Sequence, residues 1–205
     1  MAFLGLKVPP ETARLFAEID VPGEKSAPSA MHITMVYLGK EVPIETIAAT
    51  IPVVMKVVSA TRPFSVQTSH VSMFPAGDDG VPIIARVQSN DLHRLRNALL
   101  NALDAASIPY NKKFPEFKPH VTLAFSKDPL VEEIVNIDIP TIEWGAHELV
   151  LWGGDQGDKR IIVTFPFSIA MTKAAVDRSF VQLATRWPAG NEQVRKLLGN
   201  FRDLP

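Results

Sequence analysis

Residues 117–124 read Phe117-Lys118-Pro119-His120-Val121-Thr122-Leu123-Ala124, and residues 31–39 read Met31-His32-Ile33-Thr34-Met35-Val36-Tyr37-Leu38-Gly39. Both alternate polar and apolar side chains with the two-residue period of a strand. In a strand, residues i and i+2 share a face and stand about 6.6–7 Å apart. His32 and Thr34 therefore sit side by side, with Ile33, Met35 and Tyr37 expected on the opposite face. By the same alternation His120, Thr122 and Ala124 oppose Val121, Leu123 and Phe125. One His-x-Thr element is a trivial pattern. Its force here lies in repetition, at matching places in two similar strands.

Working outward, Phe3–Val8 reads as a strand that stops at Pro9-Pro10, and a helix over Glu11–Ile19 follows the double proline. Val21–Ala30 is rich in Pro, Gly and Ser and reads as a loop. Ile44–Val58 predicts a helix interrupted near Pro52. Phe64–Met73 and Val81–Val87 predict a hairpin around Pro75-Ala76-Gly77-Asp78-Asp79-Gly80. Asn90–Ala106 is the clearest helix: Leu92, Leu95, Leu99 and Leu103 mark its buried stripe, and Asn90 or Asp91 can cap it. After the second motif come a short helical stretch at Leu130–Val135 and two strands, Thr141–Trp152 and Arg160–Ile169, around a turn at Gly153–Asp158.

A strand with His-x-Thr, then a helix, then two strands thus appears twice, at 31–87 and 118–169. The duplication predicts an α+β fold of two similar lobes, with the motif strands facing each other across a cleft. The expected layout is one domain over residues 1–170 and a C-terminal extension over 171–205, where Val194, Leu197, Leu198 and Phe201 show weak helical spacing.

Composition narrows the function. With 205 residues and 46% apolar content the chain can build a sizeable core. Its 21 Lys+Arg against 22 Asp+Glu give a net charge of −1, which argues against a broad basic surface for long duplex nucleic acid. The absence of cysteine rules out disulfides, thiolate catalysis and Cys-ligated metals. Met1–Leu6 lacks the basic flank of a signal peptide, and no stretch approaches the ~20 apolar residues of a membrane helix. A soluble, cytoplasmic protein is the expectation. The sequence leaves oligomeric state open.

Two histidines suit phosphodiester chemistry. In-line attack at phosphorus needs a base on one side and an acid on the other, and an imidazole, with an ordinary pKa of about 6.5, can fill either role. His32 and His120 are the candidate pair, and either can be the acid or the base. The hydroxyls of Thr34 and Thr122 can donate to the non-bridging oxygens, where charge builds up. No dense Asp/Glu/His cluster stands out, so no metal is expected. Tyr37, Tyr110, Phe114, Phe117 and Trp152 are aromatic candidates for stacking a base. Lys118, Arg86, Lys112 and Lys113 are cationic candidates for a phosphate.

These motifs resemble those of the 2H phosphoesterase superfamily: His-hydrophobic-Thr/Ser-hydrophobic followed by Leu-Gly at residues 32–39, and Pro-His-hydrophobic-Thr-Leu at 119–123. Phe64–Pro75, ending in Phe74-Pro75, is similar to the Phe-Pro strand of its 2′-5′ RNA ligase-like branch. The Leu-rich helix at 92–103 also stands before the second motif, as it does there. The resemblance covers about residues 1–170. It implies a bilobal fold with the site between the lobes, and cofactor-free hydrolysis of a 2′,3′-cyclic phosphate, a 2′-5′ linkage or a cyclic oligonucleotide signal. It places catalysis on His32 and His120 and phosphate binding on Thr34 and Thr122. Nucleotides or short RNA are the implied partners. A binding module with the same cleft and little turnover is the other function the motifs allow. The extension after Ile169 has no counterpart in the minimal family fold.

Overall fold

The computed structural model describes residues 1–113, 115–127, 137–153 and 160–167. In chain order these form β1 (Ala2–Lys7), α1 (Pro10–Glu18), β2 (Glu24–Lys25), a 3-10 turn (Pro28–Ala30), β3 (His32–Gly39), α2 (Ile44–Ser59), β4 (Phe64–Met73), β5 (Val81–Gln88) and α3 (Asn90–Ala105). There follow β6 (His120–Ser126), β7 (Ile137–Asp138), β8 (Glu143–Ala146), β9 (Glu148–Gly153) and β10 (Arg160–Pro166). The stretch Leu130–Val135, most of the turn at Gly153–Asp158 and the extension over 171–205 lie outside the described residues, as does Phe114.

The strands make two antiparallel sheets. One has the order β10-β9-β1-β3; the other runs β2-β6-β5-β4-β7, with β8 also paired to β4. Helices α2 and α3 pack on each other and reach β10 and β3 of the first sheet. Helix α1 serves the second sheet, where Phe16 meets Trp144 of β8 edge to face at 5.6 Å. The main buried core, from Leu4, Ile33 and Met35 to Ile83, Val121 and Phe165, runs between the layers. The result is an α+β, two-lobed molecule with helices outside the sheets.

Within this frame the two-lobe expectation takes an unforeseen form. Each motif strand shares a sheet with the strands that follow the other motif: β3 joins β9 and β10 through β1, whereas β6 lies against β5 and β4. The chain therefore exchanges strands between its lobes. Thr141–Trp152 is not one strand for the same reason. It breaks between β8 and β9 at His147, and the two pieces belong to different sheets. The His147 carbonyl accepts from the Phe167 N–H at that corner.

Three local expectations also change. Helix α2 runs through Pro52 without interruption, because Ile47, Ile51, Val54 and Val58 bury one continuous stripe on both sides of it and that packing outweighs the one backbone hydrogen bond a proline removes. Helix α3 starts one residue earlier than the proposed caps: Ser89 is the N-cap, and it makes no side-chain capping bond. The loop at Val21–Ala30 contains β2, whose Glu24 and Lys25 pair with Phe125 and Ala124. Lys25 also donates to the Ala17 and Ile19 carbonyls, tying β2 to the end of α1.

Strict alternation fails in both motif strands, at the same place. The ladder between β1 and β3 skips Met35, passing from Val36 opposite Leu4 to Thr34 opposite Gly5. The ladder between β5 and β6 skips Leu123 in the same way, from Ala124 to Thr122. An extra residue in one strand shifts the side-chain phase beyond it. Val36 and Ala124 are consequently buried. Tyr37 and Phe125, expected on the core face, turn instead to the face of His32 and His120.

Candidate functional site

The motif strands approach each other where the sheets meet, with Cα atoms within 8 Å but no ladder between them. Among the described residues β3 is an edge strand, and only the far end of β6 is covered by β2. Residue by residue the two strands have the same burial sequence over seven positions, from His32 to Leu38 and from His120 to Ser126. His32, Thr34, His120 and Thr122 are all half-buried, while Ile33, Met35, Val121 and Leu123 are buried behind them.

Each imidazole is held by the same device. The His32 Nδ1–H donates to the Ala30 carbonyl at 2.6 Å, and the His120 Nδ1–H donates to the Lys118 carbonyl at 2.7 Å. A carbonyl only accepts, so both rings keep their proton on Nδ1. In the neutral ring the lone pair is then on Nε2, the form a general base needs. Each ring also rests on a phenylalanine. Phe3 lies 4.9 Å from His32, and Phe74 meets His120 edge to face at 4.7 Å. Such contacts fix ring orientation and contribute about 0.5–1.5 kcal/mol beyond burial.

A cation stands across the ladder from each histidine. Lys7 is the register partner of His32, and Arg86 that of His120. Arg86 also places its guanidinium 5.0 Å from the centre of the Phe74 ring. Burial pushes the His120 imidazole below its ordinary value; the Lys118 carbonyl opposes this, and the charge of Arg86 adds to it. Burial likewise lowers Arg86, against the pull of Glu116, but an arginine starts so far above neutrality that it stays charged. Among the described residues no group of three or more His, Asp or Glu is placed to hold a metal ion. Nor is any helix among them long and apolar enough to cross a membrane.

Comparison with known proteins gives this geometry a family. The 2′-5′ RNA ligase superfamily model matches residues 8–158. The chain belongs to that superfamily. Solved structures share its fold. The TT0787 protein of Thermus thermophilus aligns with a TM-score of 0.64 at 18% identity, over 82% of this chain and 98% of that one. LigT of E. coli, solved with 3′-AMP, aligns with a TM-score of 0.60 at 18% identity, again over 82% and 98%. A structure described as a phosphoesterase gives 0.61 at 17% identity over the same shares. No curated protein sequence matches the chain.

The other candidate contacts fall in different places around this superfamily fold. Trp152 reaches His32, with ring centres 5.4 Å apart, and stacks on Phe3 at 5.0 Å. Only 8% of it is exposed, so it backs the histidine and offers little face to a base. Tyr37 packs into the same small cluster with Phe3, Val150 and Trp152. Tyr110 gives its hydroxyl to Asp104 at 3.0 Å and lies under the Lys112 ammonium. Phe117 is clasped between His93 and Arg96. Lys118 precedes β6 rather than lying in it. Its carbonyl positions His120, and its ammonium pairs with Glu116 at 2.8 Å.

Sequence reasoning missed four residues of the site: Lys7, Phe3, Phe74 as a ring support, and Gly5. A Cβ on Gly5 would stand 2.7 Å from the Ile33 carbonyl oxygen and 3.1 Å from the Trp152 ring. The bare backbone there leaves room for Trp152 to stack on Phe3 and lean against His32. The signal was present in Phe3 and Gly5 sharing a face of a strand, but it has meaning only once β1 is known to pair with β3.

Proposed function

We propose that the chain is a metal-independent phosphodiesterase acting on a cyclic or 2′-5′-linked nucleotide, with His120 as general base and His32 as general acid. The observation that carries this reading is the identical mounting of the two imidazoles, each with Nδ1 bound to the carbonyl two residues back. Random surface histidines have no reason to share tautomer, ring support, bulge and cross-strand cation. Membership of the 2′-5′ RNA ligase superfamily supports the same chemistry, and the nucleotide 3′-AMP found with LigT supports a nucleotide as ligand.

In the proposed step, His120 Nε2 takes a proton from water as the water oxygen bonds to phosphorus. The bond from phosphorus to the leaving ribose oxygen breaks on the opposite side, and His32, protonated, gives that oxygen its proton. Thr34 and Thr122 donate to the non-bridging oxygens, where hydrogen bonds strengthen as charge builds. Lys7 and Arg86 add positive charge from both lobes. The assignment of His120 as base follows from its burial and from Arg86, which together favour the neutral ring.

The test is turnover in EDTA of a panel of 2′,3′-cyclic mononucleotides, 2′-5′ dinucleotides and cyclic dinucleotides. Hydrolysis should survive the chelator and be lost in both His32→Ala and His120→Ala. Turnover that persists in either variant would overturn the two-histidine scheme, and tight binding without turnover would identify a nucleotide-binding module instead.

A further inference from the structure

Beside His120, and not lined by Thr34, Thr122 or either histidine of the motifs, lies a cleft of about 490 Å³. Its walls include His70 from β4, Arg86 from β5, His93 from the first turn of α3 and Lys118 from the segment before β6. Its volume falls in the range of sites that hold a ligand of nucleotide size. The charge is local: two fixed cations and two imidazoles face one carboxylate, Glu116, in a chain whose net charge is −1. Neither extra imidazole has a place in the proposed acid–base pair. His70 Nδ1 lies 3.0 Å from the Ser69 hydroxyl, and His93 is exposed against the edge of Phe117.

Arg86 joins this cleft to the motif site. It is the cross-strand partner of His120 and also lines the cleft wall. Glu116 draws on both cations, pairing directly with Lys118 and acting on Arg86 through space. An anion entering the cleft would replace that carboxylate as the shared partner of two charged donors. Phosphates of a nucleic-acid strand recur once per nucleotide, so an arginine standing between two such places can serve two successive phosphates.

We propose that this cleft is a second-phosphate subsite, which holds the nucleotide next to the scissile linkage and makes the preferred substrate a short oligonucleotide rather than a cyclic mononucleotide. The proposal rests on the phosphodiesterase reading above and deepens it. His93, His70 and the Lys118 ammonium grip the neighbouring phosphate, and Arg86 is shared between the two.

The experiment measures kcat/KM in EDTA for a nucleoside 2′,3′-cyclic phosphate, its 5′-phosphorylated form, and a dinucleotide ending in the same cyclic phosphate. The second phosphate should raise kcat/KM roughly tenfold or more, as charge-assisted hydrogen bonds do. A gain already present in the 5′-phosphorylated mononucleotide assigns the subsite to the phosphate, whereas a gain confined to the dinucleotide, which carries its phosphate at the same place, traces to the added nucleoside and overturns the phosphate grip. In His93→Gln and Lys118→Gln the ratio of long to short substrate should fall toward one. Equal kcat/KM for all three substrates overturns the subsite while leaving the enzyme reading intact. As a readout independent of turnover, the His70 and His93 imidazole resonances are followed by NMR during titration with a 5′-phosphorylated dinucleotide. Shifts in both support the subsite even if no substrate is hydrolysed, in which case the enzyme reading fails alone. Unmoved resonances overturn the subsite.

Discussion

Arg86 stands directly across the strand ladder from His120, and its guanidinium covers the Phe74 ring that the imidazole meets edge to face. Charge and aromatic support thus reach the histidine together, from Arg86 and the Phe74 ring it covers. Because the Arg86 charge helps hold the imidazole below its ordinary value, behind the larger effect of burial, Arg86→Gln should move the His120 titration to higher pH. The acidic limb of the kcat/KM profile should move with it. Imidazole NMR titration of wild type and variant checks this, and an unmoved midpoint would take Arg86 out of the electrostatics.

The same depression links pH to stability. The unfolded chain takes up the His120 proton more readily than the folded one, so this contribution to stability is fully present above the unfolded imidazole value of about 6.5. It is lost as pH falls from there through the lower, folded value. Urea unfolding at about pH 8 and about pH 5 should show the loss, and His120→Gln should flatten this part of the profile.

Gly5→Ala would place a methyl group 2.7 Å from the Ile33 carbonyl oxygen and 3.1 Å from the Trp152 ring. Overpacking of this kind costs about 1–3 kcal/mol. Denaturant midpoints should report that loss. Turnover per folded molecule should fall as well, since the Trp152 ring that must yield is the one set against His32.

Thr34→Val and Thr122→Val keep side-chain shape and remove one hydroxyl from each half-buried site. Each should lower kcat about 10²-fold, the scale of losing one donor to a developing oxyanion. Circular dichroism and thermal midpoints should stay close to wild type. A variant with the parental rate would exclude that threonine from the reaction.

Much of this was legible in the chain itself because it depends on local pattern. The Leu92, Leu95, Leu99 and Leu103 stripe, the hairpin around residues 75–80 and the two His-x-Thr strands all follow from side-chain period and turn chemistry. The bulges at Met35 and Leu123 were not legible, since a skipped residue is defined by the partner strand and leaves no mark in an apolar run. For that reason Tyr37 and Phe125 were placed on the wrong face. Lys7 and Phe3 escaped notice for a related reason, and Arg86 stood out no more than its neighbouring cations: each matters through a register between strands far apart in sequence. The run through Pro52 reflects burial overriding a local breaker.

The exchange of strands between lobes constrains how the molecule can be assembled and cut. β1 lies between β3 and β9, and β6 between β5 and β2. A nascent chain can complete the hairpin of β4 and β5 early, but the sheet carrying His32 waits for β9 and β10 at the far end of the described chain. Neither half is a self-sufficient fragment: a break between α3 and β6 would strip the His32 sheet of two strands and the other sheet of its own histidine. Co-expressed halves should therefore recover the fold only by reassociating, and each alone should remain unfolded.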